Sequence, residues 1–318
     1  RSTVEDIAFA LQSLDIGRGS NVSLLSNNSP RWAMSDYGII CSGAATVSIY
    51  PTLIASQVEY IINNSNSKIA FVEDQDQLAK IIEIWDNAPQ LTNIVVMNDS
   101  DKSDDDRIIN FMDFLSIGTK YQQESKSSFE DLVNIAQEED LLTLIYTSGT
   151  TGDPKGVMLT HGNMMSNVEG ISKLISFDHT ERFLSFLPLS HSFERMGGHF
   201  TAFSVGAQVY YAENIDKVPD NLQEVKPTVV LSVPRLYEKM YGRVREGLKS
   251  APAIRQKLFW WAINIGKEAT KFRLKHQALP MMLGIKHKIA DKLVYSKVKA
   301  RVGGELRFFV SGGAPLSQ

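Results

Sequence analysis

The chain has 318 residues, room for roughly two domains of ~150 residues each, with 43% hydrophobic residues, 22% charged residues and a formal net charge of −3. That balance is ordinary for a folded globular protein and argues against a disordered or low-complexity chain. A single cysteine, Cys41, excludes an internal disulfide framework and a multi-cysteine metal cluster, and fits a reducing, cytoplasmic setting.

Taken in order, Ile7, Ala8, Leu11 and Leu14 recur on one helical face, so 4–14 is predicted as a helix. Residues 17–20 end it and 21–25 read as a strand. Asn27-Asn28-Ser29-Pro30 forms a turn, or a cap with proline at the first helical position, and the helix is expected to reach Cys41. Cys41 lies in an apolar stretch and reads as a buried small hydrophobe rather than a nucleophile. A short apolar run follows at 44–49, then a helix at 57–63, a strand at 68–72, a helix at 76–86 and a strand at 93–97. This alternation predicts an α/β fold, mostly parallel sheets flanked by helices. Residues 98–130 are polar and read as a surface loop with a short helix near 108–115.

Beyond a subdivision near residue 140, 141–146 is an unbroken apolar strand, 157–160 a second short one, and Asn163 is positioned to cap a helix through about 176. Strands are expected at 183–187, ending at Pro188, and at 208–211, 228–233 and 307–310. The span 236–301 is predicted to be mostly helical, broken near Pro252 and Pro280. No apolar stretch approaches the ~20 residues of a membrane-spanning helix, and the first residues lack the apolar core of a signal peptide.

The chemistry concentrates in Tyr146-Thr147-Ser148-Gly149-Thr150-Thr151-Gly152-Asp153-Pro154-Lys155-Gly156. Glycines allow positive φ and bring backbone N–H groups close to a ligand. Hydroxyls and N–H groups donate to phosphate oxygens, more strongly when the acceptor is charged, and Lys155 adds a cation. Ligands in α/β sheets gather at the carboxyl ends of strands, and a buried strand feeds this loop. The spacing is not that of the common G-x-x-x-x-G-K-[ST] loop: Pro154 and Val157 stand where its second glycine would fall.

The run from Tyr146 through Gly156, continued by Val157-Met158-Leu159-Thr160-His161, closely resembles the signature loop of the adenylate-forming superfamily of acyl-CoA synthetases, aryl-CoA ligases, luciferases and adenylation domains. Three further segments are similar to blocks of long-chain fatty acyl-CoA synthetases: Pro188-Leu189-Ser190-His191-Ser192-Phe193-Glu194-Arg195, Ser232-Val233-Pro234-Arg235-Leu236, and Leu306-Arg307-Phe308-Phe309-Val310-Ser311-Gly312-Gly313-Ala314-Pro315-Leu316. The resemblance runs from about Gly17 to Gln318 and implies the large N-terminal domain of that fold, truncated at both ends.

The resemblance further implies two half-reactions. A carboxylate attacks the α-phosphate of ATP to give acyl-adenylate and pyrophosphate, and coenzyme A then displaces AMP. Thr147, Ser148, Gly149, Thr150, Thr151, Gly152 and Lys155 would hold the phosphates, with Thr147 also contributing to a Mg²⁺ site. His191 and Lys155 would act at the reacting groups, and Gly312, Gly313, Ala314 and Pro315 would wall the adenine and acyl site. Phe193, Met196, Gly197 and Val233 would line the acyl pocket, with core packing an equal reading. Fatty acid, ATP and coenzyme A are the implied partners, and no nucleic acid is expected. The block that completes the Mg²⁺ site, the ribose-binding aspartate and the small C-terminal domain would lie beyond Gln318, so the stretch alone is expected to be inactive.

Two other readings stay open: an adenylate-former with a different acid or acceptor, such as an acyl-carrier-protein or aryl-CoA ligase, and a non-catalytic nucleotide-binding module. Charge is also uneven. Residues 239–301 carry 16 Lys/Arg against Glu246, Glu268 and Asp291. Ile285, Ile289, Leu293 and Val298 form an apolar stripe among those lysines. The stripe is expected to face the core with lysines in water. The alternative is an amphipathic cationic surface that touches the inner face of a membrane peripherally.

Overall fold

The computed structural model describes residues 1–98, 103–147 and 153–315. The chain divides into two compact units, one of Arg1–Phe177 with Leu187–Ser204, the other of Asp178–Phe186 with Val205–Gln318. The strand that begins at Leu141 joins the first unit's sheet.

The first unit runs α1 (Ser2–Ser13), β1 (Asn21–Leu25), α2 (Pro30–Cys41), β2 (Ala45–Ile49), α3 (Ala55–Asn64), β3 (Ser67–Val72), α4 (Gln75–Ile84), β4 (Asn93–Val96), β5 (Ile108–Asn110), α5 (Phe111–Glu124), α6 (Phe129–Asn134), β6 (Leu141–Thr147), β7 (Lys155–Thr160) and α7 (His161–Leu174). It returns with α8 (Ser192–Glu194), a π-helical turn (Arg195–Phe200) and α9 (Thr201–Ser204). Its seven strands lie in the order β5-β4-β3-β1-β2-β6-β7. All neighbours pair in parallel except β6 and β7, which form an antiparallel hairpin at the edge.

The central strands read as continuous apolar runs because helices cover both faces of a parallel sheet; all five residues of β2 are buried. Ser29 caps α2, its hydroxyl accepting from Trp32 N at 3.0 Å, with Pro30 at the first helical position. Residues 108–124 extend the short helix expected near 108–115. They form a strand and a 14-residue helix, capped by Asn110 Oδ1 accepting from Asp113 N at 2.9 Å. Phe111, Phe114 and Gly118 are its buried positions, at helical spacing, and Phe114 meets Phe71 edge-to-face at 5.3 Å. Most of the remaining positions are exposed, which is why the segment reads as polar. Helix α7 is capped by Thr160 rather than Asn163. The Thr160 hydroxyl accepts from Asn163 N at 3.1 Å and Asn163 Oδ1 accepts from Thr160 N at 3.1 Å, so Asn163 closes the reciprocal pair from inside the helix.

The second unit holds β8 (Arg182–Ser185), β9 (Gln208–Tyr211), α10 (Val218–Val225), β10 (Val229–Ser232), α11 (Pro234–Lys249), α12 (Ala253–Leu274), α13 (Met281–Ala290), a π-helical turn (Asp291–Tyr295), α14 (Ser296–Ala300) and β11 (Phe308–Ser311). Its four strands are parallel, in the order β11-β10-β8-β9. A separate apolar cluster joins Phe259, Ala262 and Ile265 to Leu283, Ala290 and Val294. Ile285, Ile289, Leu293 and Val298 are instead 41–48% exposed, which corrects the expectation that this stripe faces the core. The buried positions of this segment are instead Leu283, Ala290 and Val294, which lie on a different helical face and pack on Phe259, Ala262 and Ile265.

Candidate active site

Strand β6 ends in Thr147 and β7 begins at Lys155, and the hairpin register pairs the two directly. The predicted phosphate loop is therefore the connection of a hairpin whose exposed mouth is set by Thr147 and Lys155. Ser148, Gly149, Thr150, Thr151 and Gly152 lie outside the described residues. Tyr146 and Gly156 are the next cross-strand pair. A Cβ on Gly156 would stand 3.0 Å from Tyr146 Cζ, so the glycine makes room for the ring. That ring is fixed by its hydroxyl, which donates to Asn64 Oδ1 at 2.6 Å, and by an edge-to-face contact with Tyr60 at 6.5 Å.

His191 caps α8. Its Nδ1 accepts from Phe193 N at 3.2 Å, and its backbone carbonyl accepts from Arg195 N at 3.1 Å. An Nδ1 that accepts leaves the neutral ring's proton on Nε2, so the exposed side of the imidazole is a donor. The preceding turn is anchored to the sheet: Leu189 N donates to Asn28 Oδ1 at 2.9 Å and Ser190 Oγ to Ile49 O at 3.2 Å.

Thr147 and His191 line one cavity of about 390 Å³, together with Ser48, Tyr50, Gln57 and Tyr146. Burial raises the Tyr50 and Tyr146 phenols above their ordinary range, so both remain neutral donors. Ser48 Oγ is buried without a hydrogen-bond partner among the described residues. None of Ser48, Tyr50 or Gln57 was singled out by sequence; the only signal is their place at the end of β2 and the start of α3, beside the strand that feeds the loop. On the other side of Ser192 a second cavity of about 330 Å³ is lined by Leu159, Met164, Phe193 and Met196. Met196 also packs on the buried cluster of Leu142, Met164, Val168 and Phe200, and Gly197 is buried within the π-helical turn.

Within the second unit, β10 and β11 end side by side, Ser232 opposite Ser311, and Gly312 N donates to Ser232 O at 3.1 Å. This brings Val233 beside the predicted wall. Gly313 has φ +74°, a left-handed conformation that favours glycine, while a Cβ there would meet only Val233 Cγ1 at 3.6 Å. Backbone conformation rather than crowding therefore requires Gly313, and Gly313, Ala314 and Pro315 are exposed.

Beneath the first unit's site lies a polar cluster absent from the sequence-based candidates. Asp36, Arg195 and His199 are fully buried, with Arg195 and His199 both on the carboxylate. Burial alone would raise the Asp36 carboxyl, but Arg195 and a hydrogen bond from His199 hold it below the usual range. Burial pushes His199 down, so it stays neutral. The available signal was a lone charged residue, Asp36, on the buried face of α2.

A family model described as "AMP-binding enzyme" matches residues 1–318. The chain belongs to this family. Among curated relatives, it is 32% identical over 317 residues to the long-chain-fatty-acid–CoA ligase ACSBG2 of Homo sapiens, covering 98% of this chain and 46% of that protein. It is 31% identical to the peroxisomal long chain acyl-CoA synthetase 7 of Arabidopsis thaliana, covering 95% of this chain and 41% of that one. The chain thus spans less than half the length of these relatives. The adenylation domain of a carboxylate reductase from Mycobacterium chelonae superposes with a TM-score of 0.74 over 99% of this chain and 46% of that one, at 21% identity. That likeness shows a shared fold.

Proposed function

We propose that the protein containing this chain converts a long-chain fatty acid, ATP and coenzyme A to acyl-CoA, AMP and pyrophosphate through an acyl-adenylate. The observation that carries this reading is the shared cavity of Thr147, at the mouth of the phosphate hairpin, and His191. The relatives named above supply the acid class. In the first half-reaction a carboxylate oxygen bonds to the α-phosphorus and pyrophosphate leaves. In the second, the thiol sulfur bonds to the acyl carbon and AMP leaves.

The first step brings two anions together, so positioning and charge neutralisation must do most of the catalysis. Lys155 and the loop from Thr147 hold the β- and γ-phosphates. His191 donates from Nε2 to the oxygen shared between carboxylate and α-phosphate. Gly312, Gly313, Ala314 and Pro315 wall the adenine and acyl group, and Phe193, Met196, Gly197 and Val233 line the acyl chain. No group of three or more His, Cys, Asp or Glu residues close enough to hold a metal occurs among the described residues. Mg²⁺ does not require such a cage, since it keeps waters and leans on substrate phosphates, and the exposed Thr147 hydroxyl suits it as one hard oxygen ligand. When bound, the ion would neutralise phosphate charge.

ATP–pyrophosphate exchange by the full-length protein, across a panel of fatty acids, tests the reading. Thr147→Ala and Lys155→Ala each remove a hydrogen bond to a charged group, worth about 1.5–3 kcal/mol, or roughly ten- to hundredfold in rate. Unchanged exchange in both variants overturns the loop assignment. Thioester formation with coenzyme A but not with a carrier protein fixes the acceptor.

The same protein is proposed to work in the cytoplasm with peripheral membrane contact. No helix among the described residues is long and apolar enough to cross a membrane. Support comes from Met281, Met282, Ile285 and Ile289, which are 46–79% exposed and interleave with Lys286, Lys288 and Lys292. Co-sedimentation with anionic vesicles that survives Met281→Glu/Ile285→Glu would refute it.

A further inference from the structure

Arg195 stands four residues after His191, and Thr143 four residues before Thr147. The two are joined by one buried side chain. The Arg195 guanidinium pairs through Nη2 with Asp36 Oδ1, and its Nη1 donates to Thr143 Oγ1 at 2.5 Å. Thr143 Oγ1 in turn donates to Thr46 O at 2.6 Å, tying β6 to β2. His199 Nε2 donates to Asp36 Oδ2 at 3.1 Å, so both carboxylate oxygens are engaged. Trp32 and Phe200 close the site, with their ring centroids 5.5 and 5.7 Å from the guanidinium carbon.

Stability alone is a poor reason for this arrangement. Taking an aspartate and an arginine wholly out of water is expensive, and well-packed apolar side chains of similar volume commonly hold a core as well or better. What apolar side chains lack is direction. A planar guanidinium fixes the bearing as well as the distance of the two acceptors it grips. Here those acceptors lie on α2 and on the strand leading to the phosphate hairpin, while the arginine's own backbone is hydrogen-bonded to His191. A displacement of about 1 Å between reacting groups is enough to slow a step a hundredfold.

We propose that Asp36, Arg195 and Thr143 form a positioning device that fixes His191 against the Thr147 end of the phosphate hairpin. It touches neither nucleotide nor acid, and acts on adenylation through the two residues it holds. The inference rests on the adenylation reading above for its kinetic consequence, but not for its geometry.

The test uses the full-length protein and four variants: Thr143→Ser, Thr143→Val, Arg195→Lys, and the double variant Asp36→Leu/Arg195→Met, which removes both charges together. ATP–pyrophosphate exchange gives kcat and the KM for ATP, and melting by circular dichroism reports folding. Thr143→Ser, which keeps the hydroxyl, is expected within twofold of wild type. Thr143→Val is expected to remain folded with kcat at least fivefold lower and KM for ATP within about threefold. Arg195→Lys, with one compact donor in place of the fork, should fall between Thr143→Ser and the double variant. The double variant is expected to fold and lose ten- to hundredfold in kcat. Wild-type kcat in a folded double variant overturns the proposal, as does a loss confined to KM, or an equal loss in Thr143→Ser and Thr143→Val. Should the double variant not fold, the Thr143 pair decides. A second readout follows the His191 imidazole NMR signal on addition of ATP. It should shift in wild type and Thr143→Ser and shift markedly less in Thr143→Val. If wild type exchanges with no fatty acid yet this pattern holds, the substrate reading fails and the positioning device stands. If Thr143→Val responds like wild type, the device fails.

Discussion

Gly156 pairs with Tyr146 next to the Thr147–Lys155 end of the β6–β7 hairpin, and Gly156→Ala isolates that junction. The new Cβ would come to 3.0 Å from Tyr146 Cζ, 3.2 Å from its hydroxyl and 3.3 Å from Cε1, all tighter than ordinary van der Waals contact. The ring has little room to retreat. Its hydroxyl is bonded to Asn64, its edge meets Tyr60, and it belongs to the buried cluster that includes Val58, Ile61 and Leu144. Forcing an extra methyl into such a contact costs typically about 1–3 kcal/mol, which for a unit of this size lowers Tm by roughly 3–10 °C. Because Tyr146 adjoins Thr147, pyrophosphate exchange should drop as well. The control is a double-mutant cycle with Tyr146→Leu, which removes the ring atoms that the methyl would strike. Gly156→Ala should be much milder in that background, giving a coupling of about 1 kcal/mol or more. Equal destabilisation in both backgrounds, or an unchanged Tm in the Tyr146 background, would refute the steric argument.

Two other outcomes follow from burial. Cys41 is half-buried, and burial, with a smaller push from Asp36, raises its thiol from 9.0 to about 11. At pH 8 the native thiolate fraction is then about a hundredth of the unfolded one, so a thiol reagent should label the native chain roughly a hundredfold more slowly than the urea-unfolded chain. The sign for stability follows: between pH 9 and 11 the unfolded thiol loses its proton and the native one keeps it, so stability should fall across that window and be indifferent below it. Comparable labelling rates in the two states would contradict this. The helix phase in the second unit gives the other test. Leu283 is 9% exposed and Ile285 48%, so Leu283→Ala should cost about 2–5 kcal/mol and Ile285→Ala no more than about 0.5 kcal/mol in urea denaturation. The reverse order would mean that the apolar stripe faces inward after all.

What the sequence determined by itself was local. The strand at 21–25, the helix from Pro30 to Cys41 and the strand entering the phosphate loop were legible because each declares itself within a few residues. An apolar run between turn residues marks a buried parallel strand, and a serine before a proline marks a helix start. The phosphate loop and the block around His191 are proposed for a related reason, since hydroxyls, glycines and a lysine at fixed spacing carry chemistry in the chain itself. The helix at 111–124 was expected only as a short one near 108–115 because most of its surface is polar, and the inward face of 281–300 was misplaced because Leu283, Ala290 and Val294, not the longer apolar stripe, are the positions that pack. The cavity behind Thr147 and His191, and the grip of Arg195 on Asp36 and Thr143, belong to tertiary structure alone. Arg195 lies 52 and 159 positions from Thr143 and Asp36, and these residues meet only when β6 pairs with β2 and the turn after His191 packs against α2. No periodicity encodes a contact at that separation; it is decided by which faces the assembled sheet and helices leave to be filled.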